Sequence, residues 1–431
     1  MIAPFHVLAK PTGAVCNLDC SYCFYLVKEE LYPDSDFRMK EQVLEAYLRQ
    51  LVEAHVGMPQ ITVAWQGGEP TLMGLPFFRR VVERLATLVP AGVELEHTLQ
   101  TNGVRLDDEW CAFLAQHRFL VGLSIDGPRE MHDAYRVDKG GRGTFDQVVR
   151  AARLLRAHKV EHNALVTVHA ANQDHPLTVY RFLRDELGIE FIQLIPIVER
   201  LDEGGLEAGG HAAFSREQAP ITDRTVSSEA WGEFLVAVFD EWVRHDIGRV
   251  FVPTFESAVA SWLGLAPAMC IFRETCGNAV ALEHNGDLYS CDHFVTPAHR
   301  LGNVLDTTMR AMVDSPRQRA FGCAKKDGLP PQCQSCTVRF ACNGACPKDR
   351  FLADQAGHPG LNYLCAGYFR FFTHIDGPMR LIANLLKAGL PAEQAMTALR
   401  QLDDPDAAGL SRNSPCPCGS GRKLKACHGS R

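Results

Sequence analysis

Between residues 5 and 195 the spacing of apolar side chains alternates between two periods. Short runs at 5–9 (FHVLA), 61–66 (ITVAWQ), about 94–100, 119–125, 160–168 and 190–195 read as strands. Between them, over about 40–55, 76–88, 108–116, 145–158 and 176–187, apolar residues return every three or four positions, the period of a helix packed on one face. Strands alternating with helices imply βαβ units and a parallel sheet. Six such units over about 200 residues suit a partial (β/α)6 barrel, since a closed eight-fold barrel needs roughly 250. The fold class expected is therefore α/β, with ligands at the carboxyl ends of the strands.

Beyond this region the pattern changes. Residues 200–222 are glycine-rich and polar, which reads as a mobile loop or a boundary. A helix over about 227–245 places Trp231, Phe234, Leu235, Val238, Phe239 and Trp242 on one stripe, as core packing requires. AVALEHNGDLYSC reads as a hairpin turning at Asn285-Gly286. Residues 366–398 look mostly helical, and 401–414 look like a linker.

The 431 residues are 46% hydrophobic and 22% charged, enough for a real core and for more than one unit. A net charge of −7, with no run of Lys and Arg, argues against a nucleic-acid binder. The N-terminus lacks a basic, apolar leader, and no apolar run approaches eighteen residues, so neither a signal peptide nor a membrane span is expected. The expected location is the cytoplasm. There the sixteen cysteines are kept reduced, and their clustering reads as metal ligation rather than disulfides. Cys111 and Cys323 stand outside the clusters and are expected to be buried, inert thiols.

The most informative cluster is Cys16-Asn-Leu-Asp-Cys20-Ser-Tyr-Cys23. Soft thiolates select zinc, copper(I) or iron–sulfur clusters. A structural zinc closes with a fourth Cys or His, and the nearest later candidate is the lone His55. Three thiols without a fourth suit an iron–sulfur cluster with one open iron; a zinc knuckle is the alternative. Past the second strand, Gln66-Gly67-Gly68-Glu69-Pro70 combines a backbone that permits close approach with carbonyls and a carboxylate able to take an ammonium. Gln100-Thr101-Asn102-Gly103 and Ser124-Ile125-Asp126-Gly127-Pro128 put polar turns at the same level.

CxxxCxxC with an aromatic, Tyr22, before its last Cys, followed by GGEP, resembles the radical S-adenosylmethionine (SAM) enzymes. The resemblance implies a 4Fe–4S cluster on Cys16, Cys20 and Cys23, with SAM on its free iron. It places Tyr22 and Gln66 to Glu69 beside the cofactor, Ser124 and Arg136 at the SAM ribose and carboxylate, and Val198 against the adenine. Without the family, Arg136 would serve equally well as a surface ion-pair residue.

Eight further cysteines follow: Cys270, Cys276, Cys291, then Cys333-x2-Cys336-x5-Cys342-x3-Cys346, and Cys365. Spacing alone gives ligands for two four-thiolate sites, two zinc ribbons included. The pattern resembles the SPASM extension of peptide-modifying radical SAM enzymes, which carries two auxiliary 4Fe–4S clusters. That resemblance implies one cluster on Cys270, Cys276, Cys291 and Cys346 and another on Cys333, Cys336, Cys342 and Cys365, three clusters in all. The tail, with Cys416, Cys418, Cys427 and His428, has the ligand composition of a structural zinc site. It resembles the SEC-C motif that docks on an export chaperone; a simple C-terminal cap is the other reading. The division expected is a radical SAM barrel over 1–225, a helical connector over 226–269, a SPASM domain over 270–375, a helical segment and linker over 376–410, and the zinc motif over 411–431.

Within this group, CNLDCSYCFY, WQGGEPTL, LQTNG, GLSIDGP and YSCDHF resemble the anaerobic sulfatase-maturating enzymes. These oxidise a Cys or Ser of a sulfatase to Cα-formylglycine after a 5′-deoxyadenosyl radical abstracts hydrogen. The resemblance makes Asp292 the proton acceptor, although a solvated turn Asp is equally plain from the sequence. It implies an unfolded sulfatase segment, Cys- or Ser-x-Pro-x-Arg, as substrate, and an electron donor such as flavodoxin or ferredoxin. It further implies a tail that recruits an export chaperone or the ribosome. Two other functions fit the motifs: a SPASM peptide maturase forming thioether or carbon–carbon crosslinks, and a non-catalytic export adaptor.

Overall fold

The computed structural model describes residues 4–201, 221–404, 408–417 and 422–426. The glycine-rich loop expected at 200–222 lies almost wholly outside these residues, as do Cys418, Cys427 and His428.

Six parallel strands form as the periodicity predicts: β1 (His6–Lys10), β2 (Gln60–Trp65), β3 (Glu94–Thr101), β4 (Phe119–Ser124), β5 (His162–Val168) and β6 (Ile192–Pro196). Each is followed by a helix. These are α1 (Glu41–Ala54), α2 (Leu75–Leu88), α3 (Asp108–Gln116), the single turn α4 (Arg129–His132) with α5 (Phe145–Ala157), α6 (Pro176–Arg181), and α7 (Ser228–His245). Caps set several of these starts. The side chain of Asp107 accepts from Trp110 N at 2.9 Å and opens α3, and Ser227 Oγ accepts from Ala230 N at 3.1 Å and opens α7. The six apolar residues expected on one stripe of α7 are all buried.

The sheet does not stop at six strands. Its order is β6-β5-β4-β3-β2-β1-β7-β8-β9, with β7 (Ala279–Glu283) running parallel to β1 and paired from His6↔Ala279 to Lys10↔Glu283. The hairpin partner β8 (Asp287–Tyr289) and then β9 (Arg300–Asn303) continue antiparallel, with the chain turning through Asn285 and Gly286 as expected. Val280, Leu282 and Leu288 are fully buried, so the apolar layer of the barrel runs on beneath the hairpin. Sequence order hides this, because β1 and β7 lie some 270 residues apart.

The second half is otherwise helical: α8 (Pro253–Leu263), α9 (Met309–Val313), α10 (Pro316–Asp327), the short turns α11 (Pro331–Gln334) and α12 (Arg339–Cys342), α13 (Cys365–His374), α14 (Asp376–Lys387) and α15 (Gln394–Asp403). Helix α15 occupies the first residues of the expected linker. Helix α13 lies against α7 at backbone contact. A Cβ on Gly367 would meet Ser228 O at 2.1 Å, and one on Gly232 would meet Gly367 Cα at 2.7 Å.

Candidate active site

The carboxyl ends of β1 to β6 carry the expected polar residues, and the thiol loop is folded down onto them. Gly68 N donates to Gly13 O at 2.8 Å and Glu69 N to Val15 O at 3.0 Å, while Asp19 N and Ser21 N donate to Val137 O and Tyr135 O on the opposite side. The close approach requires the glycine: a Cβ on Gly68 would lie 2.0 Å from Val15 O. Thus the double glycine seats the thiol loop on β2 as well as opening carbonyls to a ligand.

Cys16, Cys20 and Cys23 are half-buried and close enough to perturb one another. Burial pushes the Cys16 thiol up to about 12, with Glu69 adding to it; burial pushes Cys20 up to about 11 against the opposing pull of Arg136. Thiols held protonated by burial, as Cys16 and Cys20 are, must be deprotonated on binding a metal cluster, which supplies the charge that stabilises their thiolates. His55 is no fourth ligand. Its ring nitrogens face Leu51 O at 2.8 Å and Phe5 O at 3.0 Å. Among the described residues no three His, Cys, Asp or Glu side chains close on a single ion.

The Glu69 carboxylate also holds its own surroundings together. Glu69 is fully buried, and its oxygens accept from Thr71 N, Thr71 Oγ1, Thr101 Oγ1 and Asn102 N at 2.7–3.0 Å. It ties the turn after β2 to the end of β3 beneath the loop. Gln66 Nε2, by contrast, is buried without a partner, and so is Thr12 Oγ1. Unpaired buried polar atoms are uncommon and suit a site made for a polar ligand such as SAM.

Asp126, read from sequence only as part of a turn, is the hub of the opposite wall. Fully buried, it accepts from Arg136 Nε at 2.8 Å, Arg136 Nη2 at 3.1 Å, Tyr22 Oη at 2.6 Å and Thr167 N at 2.9 Å. Burial opposes ionisation of Asp126, but Arg136 holds its carboxyl well below the usual range. Arg136 is therefore buried and fixed in place, with its guanidinium 5.4 Å from the Tyr22 ring centroid, rather than a surface ion pair. Ser124 is buried at the end of β4, and Val198 lies half-buried two residues past β6.

The later thiols fall into two neighbourhoods. Cys291 feels Cys346 and Cys270, Cys276 feels Cys270, and Cys346 feels Cys270. Separately, Cys342 feels Cys365, Cys333 and Cys336, and Cys365 feels Cys333 and Cys336. Burial pushes Cys342 and Cys346 up to about 12 and Cys365 to about 11. Cys111 is buried in α3, as expected. Cys323 is not: it is exposed on α10 near Cys276, because its position faces away from the helix's packed side. In the tail, Cys416 is buried.

Asp292, next to Cys291, reaches back to the thiol loop. Its carboxylate pairs with Lys10 Nζ, which lies 4.1 Å from the Tyr25 ring centroid, and Tyr25 Oη donates to Glu283. The rings of His293 and Phe24 are 5.3 Å apart. Burial pushes the Asp292 carboxyl up, yet Lys10 and His293 outweigh it and hold the group below its ordinary value. Lys10 carried no sequence signal; only the β1–β7 pairing brings it here.

Residues 11–183 match the family model of the Radical SAM superfamily, 270–337 that of an iron–sulfur cluster-binding domain (SPASM), and 412–430 that of the SEC-C motif. A serine-type anaerobic sulfatase-maturating enzyme of Bacteroides thetaiotaomicron is 43% identical over 92% of this chain and 95% of its own. The chain belongs to the anaerobic sulfatase-maturating enzymes. A cysteine-type member of this family from Clostridium perfringens is 31% identical over 89% of this chain and the whole of its own. The solved structure "Native anSMEcpe with bound AdoMet and Cp18Cys peptide" superposes with a TM-score of 0.77 at 30% identity, over 89% of this chain and 100% of that one. SuiB of Streptococcus suis, at 15% identity and a TM-score of 0.57 over 85% of this chain and 76% of that one, shares the fold. No helix of the described residues is long and apolar enough to cross a membrane.

Proposed function

We propose that this chain oxidises the β-carbon of a Cys or Ser in an unfolded sulfatase segment to the aldehyde of Cα-formylglycine, with Asp292 as the proton acceptor. What supports this reading is that Asp292 adjoins Cys291 and pairs with Lys10 at the end of β1, whose Nζ lies 4.1 Å from the Tyr25 ring centroid.

Cys16, Cys20 and Cys23 would hold a 4Fe–4S cluster, and Tyr22, Gln66, Gly67, Gly68, Glu69, Ser124, Arg136 and Val198 would bind SAM beside it. When bound there, cluster and SAM supply a one-electron cleavage that yields the hydrogen-abstracting radical. Arg136, locked by Asp126, presents fixed positive charge to the SAM carboxylate. Asp292, kept ionised by Lys10, takes the S–H or O–H proton once the C–H hydrogen is gone. Cys270, Cys276, Cys291 and Cys346, and Cys333, Cys336, Cys342 and Cys365, would hold two auxiliary clusters able to accept the remaining electron.

Cys416, Cys418, Cys427 and His428 bind zinc, and the tail they shape recruits the enzyme in the cytoplasm to sulfatases before export, through an export chaperone or the ribosome. A flavodoxin or ferredoxin supplies the starting electron. The test is anaerobic incubation of reconstituted enzyme with SAM, reductant and peptides bearing Ser-x-Pro-x-Arg or Cys-x-Pro-x-Arg. Mass spectrometry should find 5′-deoxyadenosine and the aldehyde together. Deoxyadenosine without aldehyde on either peptide would refute the assignment.

A further inference from the structure

Two buried cations lie among the eight later cysteines without an acidic partner. Lys325 on α10 is 1% exposed, and its Nζ donates to Cys270 O at 2.7 Å and Ile271 O at 2.8 Å. Arg350 is 6% exposed and donates only to backbone carbonyls: Nε to Gly344 O at 2.9 Å, Nη1 to Lys325 O at 2.5 Å, and Nη2 to Asn343 O at 2.9 Å and Ala345 O at 3.3 Å. Among the described residues no carboxylate forms an ion pair with either, although the neighbouring Lys326 pairs with Glu274.

Burying a charge without a counter-charge is costly, so buried cations are paired or meet a charge of another kind. Among the described residues the groups that face them are cysteines, which become negative only as metal-bound thiolates. Lys325 feels Cys346, Cys276 and Cys270, all of the first set. Arg350 feels Cys333 and Cys342 of the second set and Cys346 and Cys276 of the first.

The backbone is shaped to bring Arg350 to this position. Asn343, Gly344 and Ala345 are all left-handed, with φ of 47°, 70° and 49°, in the three-residue crossover from Cys342 of the second set to Cys346 of the first. Left-handed backbone is unfavourable for the two residues that are not glycine. What holds it is the Arg350 fork on all three carbonyls and Asn343 Nδ2 donating to Phe272 O at 2.8 Å. The crossover that interleaves the two ligand sets therefore carries a guanidinium at its centre.

We propose that Lys325 and Arg350 are built-in counter-cations of the two auxiliary clusters, Lys325 serving the first and Arg350 shared by both, and that they hold the reduction potentials high enough for the clusters to accept the substrate electron. This rests on reading the eight cysteines as cluster ligands. A four-thiolate cluster gains negative charge on reduction, so fixed positive charge in a dry site favours the reduced form and raises the potential. These are positioning residues in the electrostatic sense: neither touches substrate or SAM.

The test is EPR-monitored potentiometry of the full-length, anaerobically reconstituted chain with Cys16, Cys20 and Cys23 replaced by Ala, so that only auxiliary clusters contribute. Lys325→Gln should shift one auxiliary potential negative and leave the other near its original value; Arg350→Gln should shift both. Lys325→Arg and Arg350→Lys, which keep the charge, should stay near the starting potentials. Neutral variants that retain their iron with unmoved potentials would overturn the proposal, as would charge-conserving variants that shift equally. Should Arg350→Gln lose its iron through the crossover turn, Lys325→Gln, which leaves that turn intact, decides the matter. Absence of iron from the parent chain would instead defeat the ligand assignment itself.

Discussion

Lys10, the last residue of β1, pairs through its Nζ with the carboxylate of Asp292, 282 positions later in the chain. Lys10 is 2% exposed and the Asp292 side chain 19%. Removing one member of a buried pair leaves the other uncompensated, typically at about 3–5 kcal/mol. Lys10→Met should lose stability on that scale in anaerobic denaturant unfolding. Lys10→Met combined with Asp292→Asn should recover most of the loss, the non-additivity expected of partners in contact.

Asp292→Asn keeps the shape at the mouth and removes the proton acceptor. General-base contributions are roughly 10²- to 10⁴-fold, so aldehyde formation should fall by that order. Deoxyadenosine should still form when SAM and reductant are supplied. Mass spectrometry of both products in one reaction checks this, and undiminished aldehyde would remove Asp292 from the role.

Gly68→Ala adds one methyl where Val15 O lies 2.0 Å from the Cβ position. The thiol loop must lift from β2, while the eight later cysteines lie on other segments of the chain. Iron analysis and EPR should show the cluster on Cys16, Cys20 and Cys23 depleted and the auxiliary signals retained. Equal loss of all iron would mean general misfolding instead.

His97 lies buried in β3, stacked on Phe119 at 4.5 Å, and burial lowers its imidazole to about 4. The unfolded chain takes up that proton near 6.5. Folding stability therefore declines as pH falls below 6.5, and the decline is complete once pH drops below about 4. At pH 5 the loss from this group is about 2 kcal/mol. His97→Leu should flatten that part of the profile, measured by unfolding at pH 7.5 and pH 5.

Deleting residues 410–431 tests recruitment by the tail. Conversion of a full-length sulfatase should fall while turnover of a short peptide is unchanged. Equal loss on both substrates, or none on either, would count against it.

Much of this was legible from the chain because local signals and tertiary structure agree. The period of the apolar residues located β1 to β6 and the stripe on α7, and the thiol spacing marked the regions that the Radical SAM and SPASM family models match. What sequence could not give depends on contacts between distant segments. Lys10 and Glu283 meet only because β7 docks on β1. Asp126 looked like a turn residue until Arg136 and Tyr22 were seen to converge on it. The bonds of Glu69 to Thr101 and Asn102 are likewise hidden, because they come from a neighbouring strand and the turn after it. Cys323 was misjudged because a lone thiol in a mixed helix carries no sign of which side it faces.

The nine-stranded sheet bears on how this protein can be taken apart. A fragment ending before residue 270 would bare the whole hydrogen-bonding rim of β1, five residues long, flanked by apolar side chains. Such a rim invites strand addition from other molecules. The N-terminal portion is thus expected to clump when produced alone, and fragments for biophysical work are better cut within the tail than between the halves.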